Sequence, residues 1–144
     1  MIIEYNDQYY KGYQELITSL WKDIEETEIK EIIKDHKLGT GKIFLYVDDK
    51  IYGFVNTTIR NDYVEGCHSL GVGYIEGIYV CEKVRRNQIA IQLIEHVVRY
   101  FKSIGIKEIG SDTEIENEIS QFFHKAVGFK EVSRNVHYIM KIGD

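Results

Sequence analysis

Glu76 stands inside an otherwise apolar run, Tyr74 to Val80, and soon after that run the chain turns basic at Arg85 and Arg86 before an amphipathic pattern begins near Gln88. A carboxylate in an apolar strand is expensive to bury unless it is solvated or paired, so its placement suggests a pocket wall. There it would bind a cationic group and help remove a proton, directly or through a water. Residues 76–93, read as strand, basic loop and helix start, have the layout of an anion-binding site. The first turn of a helix carries N–H groups with no internal partner, and its dipole adds partial positive charge. A pyrophosphate can be held there without a large cavity, and Arg85 and Arg86 add fixed charge.

These residues need elements to position them. Ile2 to Tyr5 reads as a short strand, and Tyr9, Tyr13, Leu16, Ile17, Leu20 and Trp21 fall at helical spacing over 7–21. A weaker helical pattern over 25–34 closes at Gly39-Thr40-Gly41. Ile43 to Val47 and Ile51 to Ile59 predict two strands around an Asp48-Asp49-Lys50 hairpin turn, with Gly53 as a bulge or close-packing point. The polar stretch from Arg60 to Gly73 is long enough to suspect a functional loop. Ile89, Leu93, Val97 and Phe101, with Ala90, Ile94 and Val98, recur every four residues and predict a helix from Gln88 to Ile104, stopped by Gly105. Then come a strand over 108–112 that ends in Asp112, a helix over 116–126 with Ile119, Phe122, Phe123 and Ala126 inward, and final strands over 129–132 and 136–142. The expected class is α/β: a single domain, 1–144, with a mostly antiparallel mixed sheet, one central parallel strand–helix–strand crossover and about four flanking helices. Where the parallel pair splays, Glu76 and Asp112 would present two negative charges to a polycation.

Composition narrows the partners. With 44% hydrophobic and 28% charged residues the chain has the profile of a soluble globular domain. A net charge of −5 argues against general nucleic-acid binding, which needs a basic face, and suits a cationic partner. No apolar stretch approaches the roughly 20 residues that cross a bilayer, and Met1 to Glu4 lacks a signal-peptide pattern, so the expected location is the cytoplasm, without membrane association. Cys67 and Cys81 are expected as free thiols. His36, His68, His96 and His137 show no metal-ligand spacing, and no metal is expected.

Taken in order, the strand, Arg-rich turn, helix, strand, Asn-containing helix and Gly128-Phe129 turn resemble the GNAT superfamily of acyl-CoA-dependent N-acetyltransferases over nearly the whole chain. The family turn Arg/Gln-x-x-Gly-x-Gly/Ala is here Arg85-Arg86-Asn87-Gln88-Ile89-Ala90, with Gln88 at the usual glycine. A glutamine fits if this position is already helical and its side chain turns away from the phosphates. A narrower resemblance, carried by Arg60-Asn61-Asp62-Tyr63-Val64-Glu65-Gly66, Glu76-Gly77-Ile78, Ser111-Asp112-Thr113-Glu114 and Glu116-Asn117, is to the aminoglycoside 6′-N-acetyltransferases, antibiotic-resistance enzymes.

The resemblance implies acetyl-CoA as co-substrate and an amino-sugar antibiotic as acceptor. Binding both together makes the step intramolecular, with no covalent enzyme intermediate. By the same resemblance, Ile78, Tyr79 and Val80 offer backbone groups to the pantetheine arm, while Arg85, Arg86, Asn87, Gln88, Ile89, Ala90 and Ile91 cradle the pyrophosphate. Asn117 contacts the cofactor arm or simply caps its helix. Glu76 binds and deprotonates the amine; Trp21 and Tyr63 flank the sugar rings, and Asp112 binds the substrate as a second negative charge; His124 protonates the departing thiolate, with Tyr138 as a fallback. Ser133 departs from relatives that place a carboxylate at that turn. A homodimer built through the final strands is expected by analogy. Two other functions stay open: acetylation of a different amine, such as a polyamine or peptide terminus, and a non-catalytic acyl-CoA sensor.

Overall fold

Along the second strand, Ile43, Leu45 and Val47 pack on one side while Phe44 points to the other, where its ring lies 4.6 Å from His96 and 5.4 Å from Tyr100. That period of two gives the sheet two apolar faces, and each is covered by helices. The computed structural model describes residues 1–143, with only the backbone of Arg86. Two units are present, Met1–Asp112 and a second from Thr113 onward.

In the first unit the elements run β1 (Ile2–Glu4), α1 (Tyr10–Leu20), α2 (Glu26–Leu38), β2 (Gly41–Val47), β3 (Ile51–Arg60), β4 (Val72–Val80), α3 (Ile89–Ser103) and β5 (Ile109–Ser111). Short 3₁₀ turns precede α1 and α3. The sheet order is β1-β2-β3-β4-β5, antiparallel except for the parallel β4–β5 pair that α3 connects. Tyr13, Leu16 and Ile17 of α1 and Ile29 and Ile33 of α2 fill one side of the core with Phe54. Ile89, Leu93, Ile94, Val97 and Phe101 of α3 are buried on the other, as their spacing predicts. Gly39 ends α2 in the left-handed region at φ 83°, the usual helix stop.

One buried polar residue ties three of these elements. His36 donates from Nε2 to the Tyr5 carbonyl at 3.1 Å and accepts the Ile43 N–H at Nδ1, 3.0 Å away. Burial holds its imidazole below the ordinary histidine range, in keeping with a neutral ring that uses both nitrogens.

The second unit departs from expectation. Helix α4 (Glu118–Ala126) forms, but none of its residues is buried, and Ile119 and Phe122 are exposed rather than inward. The two final strands are absent: residues 130–143 pair with no strand, and Tyr138, Ile139 and Ile142 are more than 90% exposed. Alternating apolar residues make a segment competent to be a strand, but a ladder also needs a free edge in register, and that is decided by tertiary structure.

Candidate active site

β4 is irregular where it matters. Its register with β3 slips so that Thr57 faces Ile75 and Asn56 faces Gly77, leaving Glu76 as the extra residue of a bulge. A bulge re-aims a side chain and bends its strand. On the opposite edge, β4 pairs with β5 only from Gly73 to Ile75. From Glu76 to Val80 that edge has no strand neighbour among the described residues, so the β4 edge is left open beyond the bulge.

Glu76 is half-buried and paired, not free. Its Oε2 accepts from Thr58 Oγ1 at 2.6 Å and Arg60 Nε at 3.0 Å, and its Oε1 accepts from Arg60 Nη2 at 2.8 Å. The Arg60 guanidinium lies 3.4 Å from the centre of the Tyr74 ring, and the Tyr74 hydroxyl donates to Asp112. The Glu76 carboxylate keeps Arg60 more firmly protonated than usual, while burial and then the Asp112 hydrogen bond push the Tyr74 phenol up. The expectation of two uncompensated negative charges is therefore corrected: Arg60 cancels one, and the exposed Asp112 carries the other.

Trp21, at the C-terminal end of α1, joins this group. A Cβ on Gly77 would lie 2.7 Å from the Trp21 ring and 3.0 Å from Leu20, so the indole sits directly on the strand beside Glu76. Trp21 is thus packed against the core and also borders the strand that carries Glu76. Tyr63 is 83% exposed in the loop between β3 and β4. Glu108 anchors that loop by accepting the backbone N–H groups of His68 and Ser69 at 2.8 and 2.7 Å, and these bonds, with the Ser69 hydroxyl, hold its carboxyl below the ordinary range. Val64, the neighbour of Tyr63, rests near Gly110 of β5.

At the other end of the open β4 edge lie Ile78, Tyr79 and Val80, then the 3₁₀ turn Glu82–Asn87 and the start of α3. The Gln88 side chain does not cap α3, so the N–H groups of Ile89, Ala90 and Ile91 point out of the helix end toward any anion placed there. Gln88 is not helical, contrary to expectation: it precedes α3 at φ 59°, ψ 25°, and is the one described non-glycine residue with positive φ. The residue type has changed, but the left-handed conformation for which glycine is favoured has not. Arg85 turns its Nε to the Val80 carbonyl at 3.0 Å, which commits it to bracing the strand end. Asn87 is exposed in the turn, and the side chain of Arg86 lies outside the described residues.

Asn117 and His124 belong to the second unit. Asn117 caps α4, its Oδ1 accepting the Ser120 N–H at 3.0 Å. His124 Nδ1 is 2.7 Å from the Ser120 carbonyl, a contact that requires Nδ1–H to donate, and its ring lies 5.3 Å from Phe129. Among the described residues there is no group of three His, Cys, Asp or Glu able to hold a metal ion, and Cys67 and Cys81 are free thiols.

Sequence reasoning missed Thr58, Arg60 and Tyr74. A signal existed: Thr58 and Arg60 alternate at the end of β3, so both face one side, and an arginine there is a natural partner for an acidic residue on the next strand.

Residues 4–129 match the family model of the Acetyltransferase (GNAT) family. The chain is 35% identical over 141 residues to an aminoglycoside N(6′)-acetyltransferase type 1 of Salmonella enteritidis, covering 95% of this chain and 96% of that one. It is similar to the crystal structure of an aminoglycoside antibiotic 6′-N-acetyltransferase, AAC(6′)-IG, from Acinetobacter haemolyticus, with TM-score 0.89, 29% identity and 99% of each chain covered. It also resembles AAC(6′)-Iy in complex with a bisubstrate analog, CoA-S-monomethyl-acetylneamine, with TM-score 0.90, 32% identity and 98% and 97% of the two chains covered. A strand that opens at a bulge, an uncapped helix start beside it and a family match from residue 4 to residue 129 agree, and the chain belongs to the GNAT acetyltransferase family.

Proposed function

We propose that this chain is an aminoglycoside 6′-N-acetyltransferase that moves the acetyl group of acetyl-CoA to the 6′-amine by direct attack in a ternary complex. The observation that carries it is the carboxylate at the β4 bulge, with Trp21 packed on the next residue and Asp112 linked through Tyr74, on a strand edge left open as far as the turn before α3. Cationic amino sugars suit carboxylates and aromatic faces, and a pyrophosphate suits uncapped helix N–H groups. Relatives of matching length are named for the same reaction.

In this mechanism the amine lone pair attacks the thioester carbonyl, a C–N bond forms, the C–S bond breaks, and the amine proton is removed as the thiolate gains one. Glu76 orients the amine and accepts its proton directly or through water; Asp112 anchors another ammonium; Trp21 and Tyr63 bound the sugar rings. Ile78, Tyr79 and Val80 align the pantetheine arm by their backbone, with Asn117 as a further contact. The segment from Arg85 to Ile91 receives the pyrophosphate, and His124, with Nδ1–H held by the Ser120 carbonyl, supplies the proton to the thiolate from Nε2 as the imidazolium and is left neutral. Positioning two reactants on one rigid strand is worth several orders of magnitude in rate.

Residues 1–144 act as one catalytic domain, a reading supported by the family match from residue 4 of the first unit to residue 129 of the second. The protein works as a homodimer: the exposed Val136, Tyr138, Ile139, Met140 and Ile142 at its end form an apolar surface that a second copy would cover. No helix of the described residues is long and apolar enough to cross a membrane. Acetyl-CoA as the donor supports a reaction in the cytoplasm, where it would confer drug resistance by cancelling a positive charge. The deciding experiment is thiol release from acetyl-CoA in the presence of kanamycin, spermidine or a peptide amine. Turnover with kanamycin alone supports the proposal; turnover with spermidine or peptide alone shifts it to another amine, and binding of acetyl-CoA without turnover makes the chain a sensor.

A further inference from the structure

Ionised carboxylates offer about four acceptor positions, two on each oxygen. At Glu76 three are taken: Thr58 and Arg60 Nε fill Oε2, and Arg60 Nη2 takes one on Oε1. One position on Oε1 is left for an amine or a bridging water. The guanidinium that leaves it open is itself held flat, 3.4 Å from the Tyr74 ring centre, and Tyr74 is tied to Asp112. The charged and titratable groups facing Glu76 are therefore Arg60 from β3, Tyr74 from β4 and, through Tyr74, Asp112 beyond β5.

We infer that Arg60 is a positioning residue for the reaction, an inference that rests on the acetyltransferase function proposed above. Its two-pronged grip turns Oε1 of Glu76 toward the acceptor amine, while its charge divides the labour between the two carboxylates. Glu76, neutralised by Arg60, orients the reacting nitrogen; Asp112, uncompensated, supplies the attraction for the substrate's other ammonium groups. Planarity matters here, because a guanidinium can bond both carboxylate oxygens and stack on a ring at once, whereas a lysine ammonium is a point charge with no fork.

This division predicts an unusual kinetic split. Arg60→Ala leaves Glu76 swinging and adds one net negative charge to the site, so kcat falls about 10- to 100-fold while the KM for tobramycin stays level or drops. Arg60→Lys restores the charge and with it the wild-type KM, but not kcat. Because Arg60 acts through Glu76, adding Arg60→Ala to Glu76→Gln costs no further kcat. Calorimetry with coenzyme A should give wild-type affinity for both single variants, which certifies a folded cofactor site.

The measurement is steady-state thiol release with tobramycin, or with whichever amine the wild-type protein acetylates. A raised KM with unchanged kcat in Arg60→Ala, full kcat in Arg60→Lys, or additive losses in the double variant would each overturn the inference and leave the enzyme's function standing. No thiol release by the wild-type protein with any amine would overturn both.

Discussion

The two ends of the open β4 edge, proposed to receive amine and pyrophosphate, are built from different parts of the chain. At the bulge the work is done by side chains: Glu76, Arg60, Thr58, Tyr74 and Trp21 each occupy a specific place, and each contact depends on residue type. At the α3 tip it is done by main chain, with unpartnered N–H groups and a left-handed residue before the helix. The difference teaches where substitution is tolerated. The backbone conformation survives the change of the family's usual glycine to Gln88 at a modest strain, whereas the side-chain cluster has no such freedom.

The comparison is broken most directly at its side-chain end. Glu76→Gln should lower kcat for kanamycin about 100-fold or more while leaving coenzyme A affinity and the melting temperature near wild type; unchanged steady-state kinetics would remove Glu76 from the chemistry. Next in size, Gly77→Ala forces a Cβ to within 2.7 Å of Trp21. A denaturant midpoint shift of about 1–3 kcal/mol and a raised aminoglycoside KM are expected, and a wild-type KM would mean that Trp21 is core packing only.

A pH experiment sharpens the same contrast. Tyr5, Tyr13 and Tyr74 all have phenols raised above the ordinary value of 10.0, chiefly by burial. Their contribution to stability is complete below pH 10 and is lost as pH climbs past it, because the unfolded chain then ionises phenols that the folded chain keeps neutral. Tyr74→Phe removes one of the three, so denaturant-monitored stability between pH 10 and 11 should fall less steeply, by at most about 1.4 kcal/mol per pH unit. An unaltered slope would show that Tyr74 ionises as readily folded as unfolded. The smallest effect belongs to the backbone end: Gln88→Gly relieves a left-handed glutamine and should stabilise the fold by about 1 kcal/mol with a slight gain in coenzyme A affinity. Calorimetry and melting curves check it, and destabilisation would mean that the glutamine side chain contributes contacts of its own.

Much of this was legible before any coordinates. The four-residue recurrence of Ile89, Leu93, Val97 and Phe101 gave α3, because a helix packed on a sheet must carry one continuous apolar stripe. Glu76 stood out because a lone carboxylate in an apolar strand demands an explanation. Its explanation did not stand out, since Arg60 is sixteen positions earlier and their pairing depends on the β3–β4 register. Helix α4 was legible as a helix but not as an exposed one, because periodicity tells which residues share a face and says nothing about what covers that face.

By itself, then, the amino-acid sequence determined most of the local elements, the family resemblance and the odd carboxylate in an apolar strand, all of which follow from spacing and residue type along a short stretch of chain. Tertiary structure alone decided that Glu76 occupies a bulge, that Arg60 neutralises it, that Gln88 keeps a left-handed backbone and that residues 130–143 form no strand. Each of these depends on register or on the free edge of a strand, and such relations exist only once distant segments have been brought together.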